Sequence, residues 1–240
     1  MLAVAPGFWW AKTGIAPLIL PLTSDEASGG GYITRDNRGQ PWQLWGAAPR
    51  VDTTVTLFGN ATLNLSGGSY WCDNYAAGNS NYPDYDDFYF RNEALDFTTE
   101  FHYQPSTVTG SRYLMVYGNG VDTDTGRGWI FYTSGSTIYY QWSDSTHAGH
   151  SASFGTVGTG TMYHIAASRV GNTIHLALDG TEGATLDVTG LTQNYPSGAR
   201  LTMLGQHSGT NFSRGYFGQC RWWKGTGAYS GNFTKPSAPF

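Results

Sequence analysis

Charge is what this chain lacks most. Asp, Glu, Lys and Arg make up 12% of its 240 residues, about half the share in an average globular protein. Thirteen basic residues stand against seventeen acidic ones, for a net charge of −4. No basic run occurs, so no patch is available to neutralise a phosphate backbone, and nucleic acid is not expected as a partner. Strong helix formers are scarce, with four Glu, three Lys and four Met, which argues against a helical fold. Long apolar runs are missing too. The longest, Ile15 to Leu22, is broken by Pro17 and Pro21, too short for a membrane span and a poor signal peptide. Two cysteines, Cys72 and Cys220, are too few for a staple framework. A chain of this length buries roughly 70% of its unfolded surface without one, so both are expected as free thiols, with a single bridge left open.

What remains is an all-β composition: 15% aromatic residues and 33 glycines, with abundant Thr, Tyr, Trp, Phe and Val. Residues 97–104 alternate cleanly, Phe97, Thr99, Phe101 and Tyr103 against Thr98, Glu100, His102 and Gln104, and predict a half-buried strand. Arg112–Tyr117, Gly128–Thr133 and Thr137–Trp142 predict further strands, the last two joined by Ser134-Gly135-Ser136. Met162–Val170 and Thr173–Leu178 flank Gly171-Asn172, and a second tight turn is expected at Asp179-Gly180. Later strands are expected at Ala184–Val188, Leu201–Leu204 and Arg214–Trp223. Earlier ones are expected at Leu18–Leu22, Pro41–Trp45, Thr53–Phe58, Ala61–Leu65 and Ser69–Cys72. Short strands at turn-separated spacing predict one domain, a two-sheet antiparallel jelly-roll sandwich, over residues 18–240. Residues 1–17 form an arm ahead of it, and residues 73–90 an inserted loop.

Met162–Gly180, MYHIAASRVGNTIHLALDG, resembles the central hairpin of concanavalin A-like, laminin-G-like jelly rolls. Arg214–Phe240 is similar to the ending of the versions carried by tailed-phage virion proteins, through Ala228-Tyr229, Asn232-Phe233-Thr234, Pro236 and Ala238-Pro239-Phe240. Phe97–Pro105 matches a strand of the same group. Gln219-Cys220 departs from it where an acidic-apolar pair is common, and the 73–90 insertion has no counterpart there. The resemblance implies a non-enzymatic structural or adhesion protein of the virion, in a tail fibre, baseplate or head decoration, assembled in the host cytoplasm. Its partners would be other virion proteins and further copies of the chain, with a host-surface glycan as a further candidate. The alternative function is a carbohydrate-binding lectin and, behind it, a glycan hydrolase.

Residue chemistry narrows the sites. Glycoside hydrolysis requires paired carboxylates, and Glu100 is the only Glu well inside a predicted strand, flanked by Thr98 and His102, so no catalytic residue is assigned. In the loop, Tyr75, Tyr82, Tyr85 and Tyr89 stand with Asp84, Asp86 and Asp87. Aromatic faces stack on sugar rings or anchor protein partners, so this loop is the candidate glycan- or partner-binding site, against an ordered loop packing on its own sandwich. Phe8, Trp9 and Trp10 are expected to dock the arm on another subunit or to cap their own sheet. Asp122-x-Asp124-x-Gly126 resembles part of a calcium loop but lacks the distal Glu, and a plain turn is the expectation. His147 and His150, after Asp144, are read as exposed polar residues of a Gly-Ser loop. No metal or cofactor is expected. Trp222 and Trp223 must turn to opposite faces, and His164 and His175 are expected as satisfied strand histidines.

Overall fold

In the computed structural model, the described residues are 50–64, 95–119, 123–194 and 211–240, with the strand residues 18–20, 32–35, 41–45, 71–73 and 200–203. They form two antiparallel sheets. The back sheet runs β14 (Thr181–Asp187), β13 (Thr173–Leu178), β12 (Tyr163–Val170), β7 (Phe97–Pro105), β16 (Gly215–Lys224), β5 (Asn60–Asn64) and β4 (Arg50–Leu57), and β1 (Leu18–Leu20) also lies on β16. The front sheet runs β11 (Gly149–Thr156), β10 (Thr137–Ser143), β9 (Arg127–Ser134), β8 (Ser111–Gly118), β15 (Arg200–Met203), β6 (Trp71–Asp73), β3 (Pro41–Trp45) and β2 (Tyr32–Arg35). The expected jelly-roll sandwich is the observed fold, and the only helical turn among the described residues is a 3-10 turn at Asp124–Gly126.

Alternation builds the core. Phe97, Phe101 and Tyr103 of β7, Ile165 of β12, and Phe217, Cys220 and Trp222 of β16 meet Tyr117, Trp129, Phe131, Tyr140 and Trp142 from the front sheet. Fully burying one such side chain contributes about 1.5–3 kcal/mol. The ring pairs Phe101–Phe131 and Phe131–Tyr140 cross edge to face, at centroid distances of 5.2 and 4.8 Å. At Asp179-Gly180 both residues have positive φ, 53° and 80°, as a two-residue type I′ hairpin requires. On one side the sheets close on each other: a Cβ on Gly183 of β14 would lie 2.0 Å from the carbonyl oxygen of Phe154 on β11.

Two expectations change. Gly149–Thr156 is a strand, not a loop, and Tyr32–Arg35 is a further one; β11 has Phe154 as its one large apolar residue among Gly, Ser, Ala, His and Thr, so its periodic signal is weak. Strand β7 is buried on both faces rather than half-buried, with Thr98 and Glu100 fully enclosed and His102 nearly so.

The cause is the segment 225–240, which crosses the back sheet's outer face as a strap without regular structure. Thr98 Oγ1 donates to the Thr226 carbonyl and accepts from the Ala228 N–H. The Tyr229 and Phe233 rings stack at 3.6 Å, and the Phe233 N–H donates to Gly180. Asn232 Oδ1 accepts from the Glu182 N–H, and the Phe240 N–H donates to Gln219 Oε1 at 2.9 Å. Of the residues that resemble a terminal signature, Ala228, Tyr229, Asn232, Phe233 and Phe240 are contact points of this strap. Gln219, where the pattern departs, supplies one of its anchors.

Candidate functional site

Glu100 lies under the strap. Arg221 Nε and a terminal guanidinium nitrogen donate to its Oε1 at 2.7 and 2.5 Å, while His164 Nε2 and the Tyr229 hydroxyl meet its Oε2 at 2.7 and 2.9 Å. Burial pushes this carboxyl up, but the His164 hydrogen bond and the Arg221 charge outweigh it and hold Glu100 below its ordinary value. Both oxygens are committed and no water reaches them, so the group is a structural anion. The Phe240 ring covers Arg221 at 4.1 Å, with the Trp223 ring at 4.0 Å. Trp222 fills the core and Trp223 is half-buried, which is the opposite-face split the sequence requires. His164 and His175 are paired, with Glu100 and Glu182.

The front sheet's outer face is different. Register places Tyr113, Tyr132, Tyr139 and Ser153 in one row across β8, β9, β10 and β11. Val116, Ile130, Gln141 and Ser151 form the next row. Tyr132 and Tyr139 stack at 5.0 Å with an 11° tilt, and Tyr113 meets Tyr132 edge on. Burial, then the neighbouring Tyr139, raises the Tyr132 hydroxyl's pKa above its ordinary value. One face of the Tyr139 ring is thus spent on Tyr132, and the other is turned toward β11, where Ser151 and Ser153 are exposed.

This shelf is closed at one end by Asp124, whose carboxylate accepts from Gln141 Nε2. Asn194 fixes the turn that carries Asp124, its Nδ2 lying 2.8–3.1 Å from the carbonyls of Asp124, Thr125 and Arg127. Gly149 makes room beneath: a Cβ there would lie 2.5 Å from Gln141 Nε2 and 2.8 Å from Asp124 Oδ2. Arg127 reaches the other end of the row, donating to the Tyr113 hydroxyl at 3.3 Å. The result is an aromatic wall, a hydroxyl floor and an amide–carboxylate end.

Of the residues singled out from sequence, Tyr75, Tyr82, Asp84, Tyr85, Asp86, Asp87 and Tyr89 lie outside the described residues. So do Phe8, Trp9, Trp10 and Asp122. Among the described residues no three His, Cys, Asp or Glu side chains gather as a metal site would need. His147 is exposed, but His150 is half-buried and paired with the buried Asp144 at 2.8 Å, which also caps the turn through Thr146 and Ala148. The polar-loop expectation thus gives way to a fixed hairpin. The shelf itself was missed. Its signal is the alternation of Thr137, Tyr139 and Gln141 against Ile138, Tyr140 and Trp142, continued by Ser151 and Ser153 against Ala152 and Phe154.

No family model and no curated protein sequence matches the chain. Solved structures do. The binding domain of botulinum neurotoxin serotype D is 12% identical, with a TM-score of 0.58 over 88% of this chain and 48% of the other. A structure of the serotype D ligand binding domain in complex with N-acetylneuraminic acid gives 12% identity, a TM-score of 0.56, and 88% and 48% coverage. The Ruminococcus gnavus IT-sialidase CBM40 bound to alpha2,3 sialyllactose is 15% identical, with a TM-score of 0.47 over 54% of this chain and 76% of that one. The chain spans about half the length of the toxin domains it matches. At these identities the likeness to the toxin domains is one of fold, an all-β two-sheet sandwich.

Proposed function

We propose that this chain is a non-catalytic carbohydrate-recognition module used for adhesion. The observation that carries the reading is the shelf formed by Tyr139, Ser151, Ser153, Gln141 and Asp124. Sugar rings present C–H faces that pack on aromatic rings and hydroxyls that need donors and acceptors at their rim, and the shelf offers both. Its aromatic is held against a neighbour, so little side-chain entropy is lost on binding. That sandwiches of this shape include a toxin domain solved with N-acetylneuraminic acid adds support. Catalysis is disfavoured because glycoside hydrolysis generally needs two carboxylates facing one bond. Glu100 is sealed, with both oxygens bound by Arg221, His164 and Tyr229, and Asp124 is engaged by Gln141.

The likeness of Met162–Gly180 and Arg214–Phe240 to tailed-phage virion domains supports a place in such a particle, where the ligand would be a host-surface glycan. A structural virion subunit without glycan binding is the competing reading. Screening the intact protein on a glycan array, with reducing-sugar release measured on every polysaccharide it binds, separates them. Binding without release is expected. Sugar release would make it an enzyme, and silence across the array would leave the structural subunit.

A further inference from the structure

We infer that the ligand of the front-sheet shelf is an uncharged pyranose, stacked on the free face of Tyr139, and that Asp124 excludes acidic sugars. This rests on the carbohydrate-recognition reading above and adds the ligand's charge class and its place. Tyr139 pairs with Ser153, and Gln141 with Ser151. The strip between the Tyr139 ring and the edge of the sheet is therefore floored by two exposed hydroxyls, which can donate to or accept from sugar hydroxyls.

The polar end of the strip is an acceptor end. Asp124 accepts a hydrogen bond from the Gln141 amide, and its second oxygen lies over Gly149 at the start of the same strand that carries Ser151. A carboxylate accepts only, and the sugar hydroxyl it meets must donate. A sugar acid brought to the same place would set two anions side by side with a Gln between them, an arrangement that costs affinity and acts as a filter. Arg127 is engaged at Tyr113, beyond Tyr132 from the shelf, its guanidinium carbon 5.5 Å from the Tyr113 ring centroid. Preference for uncharged sugars is thus built from the position of one carboxylate relative to one ring.

The test uses the full chain on immobilised neutral glucans, galactans and mannans beside sialylated and uronate-containing glycans. Binding to a neutral glycan and none to the acidic ones is expected. Tyr139→Ala should weaken that binding by about tenfold or more, as loss of a central aromatic anchor does. Ser153→Val, which keeps the ring and blocks the floor, should weaken it as well, with thermal unfolding confirming that both variants fold. Asp124→Asn should narrow the gap between neutral and acidic glycans. Binding confined to acidic glycans would overturn the inference and leave carbohydrate recognition standing. Neutral binding unmoved by Tyr139→Ala and Ser153→Val would remove the site from the shelf. No binding to any glycan would overturn the recognition reading, and this inference with it.

Discussion

The two outer faces of this sandwich spend the same kinds of residue in opposite ways. On the back sheet, Glu100, Arg221, His164 and Tyr229 are drawn into one closed hydrogen-bonded set beneath residues 225–240. On the front sheet, Tyr139, Gln141 and Asp124 are left half-exposed beside bare serines. A polar group under cover must find its partner inside the protein or cost stability, whereas a polar group at a rim can keep one bond for a ligand. Comparing the faces therefore separates residues that hold the fold from residues free to recognise something.

The comparison breaks most sharply at Glu100. Replacing it with Ala strands a buried guanidinium and two further donors, and such a loss costs about 3–5 kcal/mol. The urea midpoint of Glu100→Ala should fall accordingly with the denaturant slope unchanged; a drop under 1 kcal/mol would mean that water reaches the network.

Acid should probe the same face next. Burial first, and the neighbouring His164, push His102 down to about 3. It is neutral in the folded protein while the unfolded chain takes up a proton below about pH 6.5, so the unfolded state binds more protons between those values. Stability contributed by this group should be intact above pH 6.5 and decline as pH falls toward 3, by on the order of a few kcal/mol. Unfolding midpoints measured from pH 7 to 4 should fall less steeply in His102→Gln than in the parent.

The front face should give the smallest response. Tyr139→Ala removes a half-exposed ring and one stacking partner, worth about 0.5–1.5 kcal/mol. Ser151→Ala should shift the midpoint by less than about 0.5 kcal/mol. A larger loss at Ser151 would show that the shelf is part of the scaffold rather than its instrument.

The sandwich was legible because alternation and turn chemistry survive in most strands: Phe97–Tyr103, Thr137–Trp142, and the Asp179-Gly180 hairpin all state their geometry locally. Strand β11 did not, since GHSASFGT has small residues on both faces, and its pairing comes from β10. The shelf was hidden for the same reason, because it joins Tyr139 to Ser151 and Ser153 through register, and register is a property of two strands. The Glu100 network could not be read at all from Thr98-Glu100-His102, because its cover lies more than a hundred residues later. Conversely, the strap's anchoring residues were conspicuous as a motif before their contacts gave it a physical meaning.

That distance has a consequence for how the protein is made. Thr98 is bridged to Ala228 across 130 positions and Glu100 to Tyr229 across 129, so β7 and β12 leave the ribosome long before their cover does. During that interval an anion, two histidines and a run of β-edge surface face solvent, in a topology whose long-range pairings already make folding slow. Closing the strap must follow the pairing of the strands beneath it, and chains interrupted before residue 225 should aggregate more readily than chains that carry it.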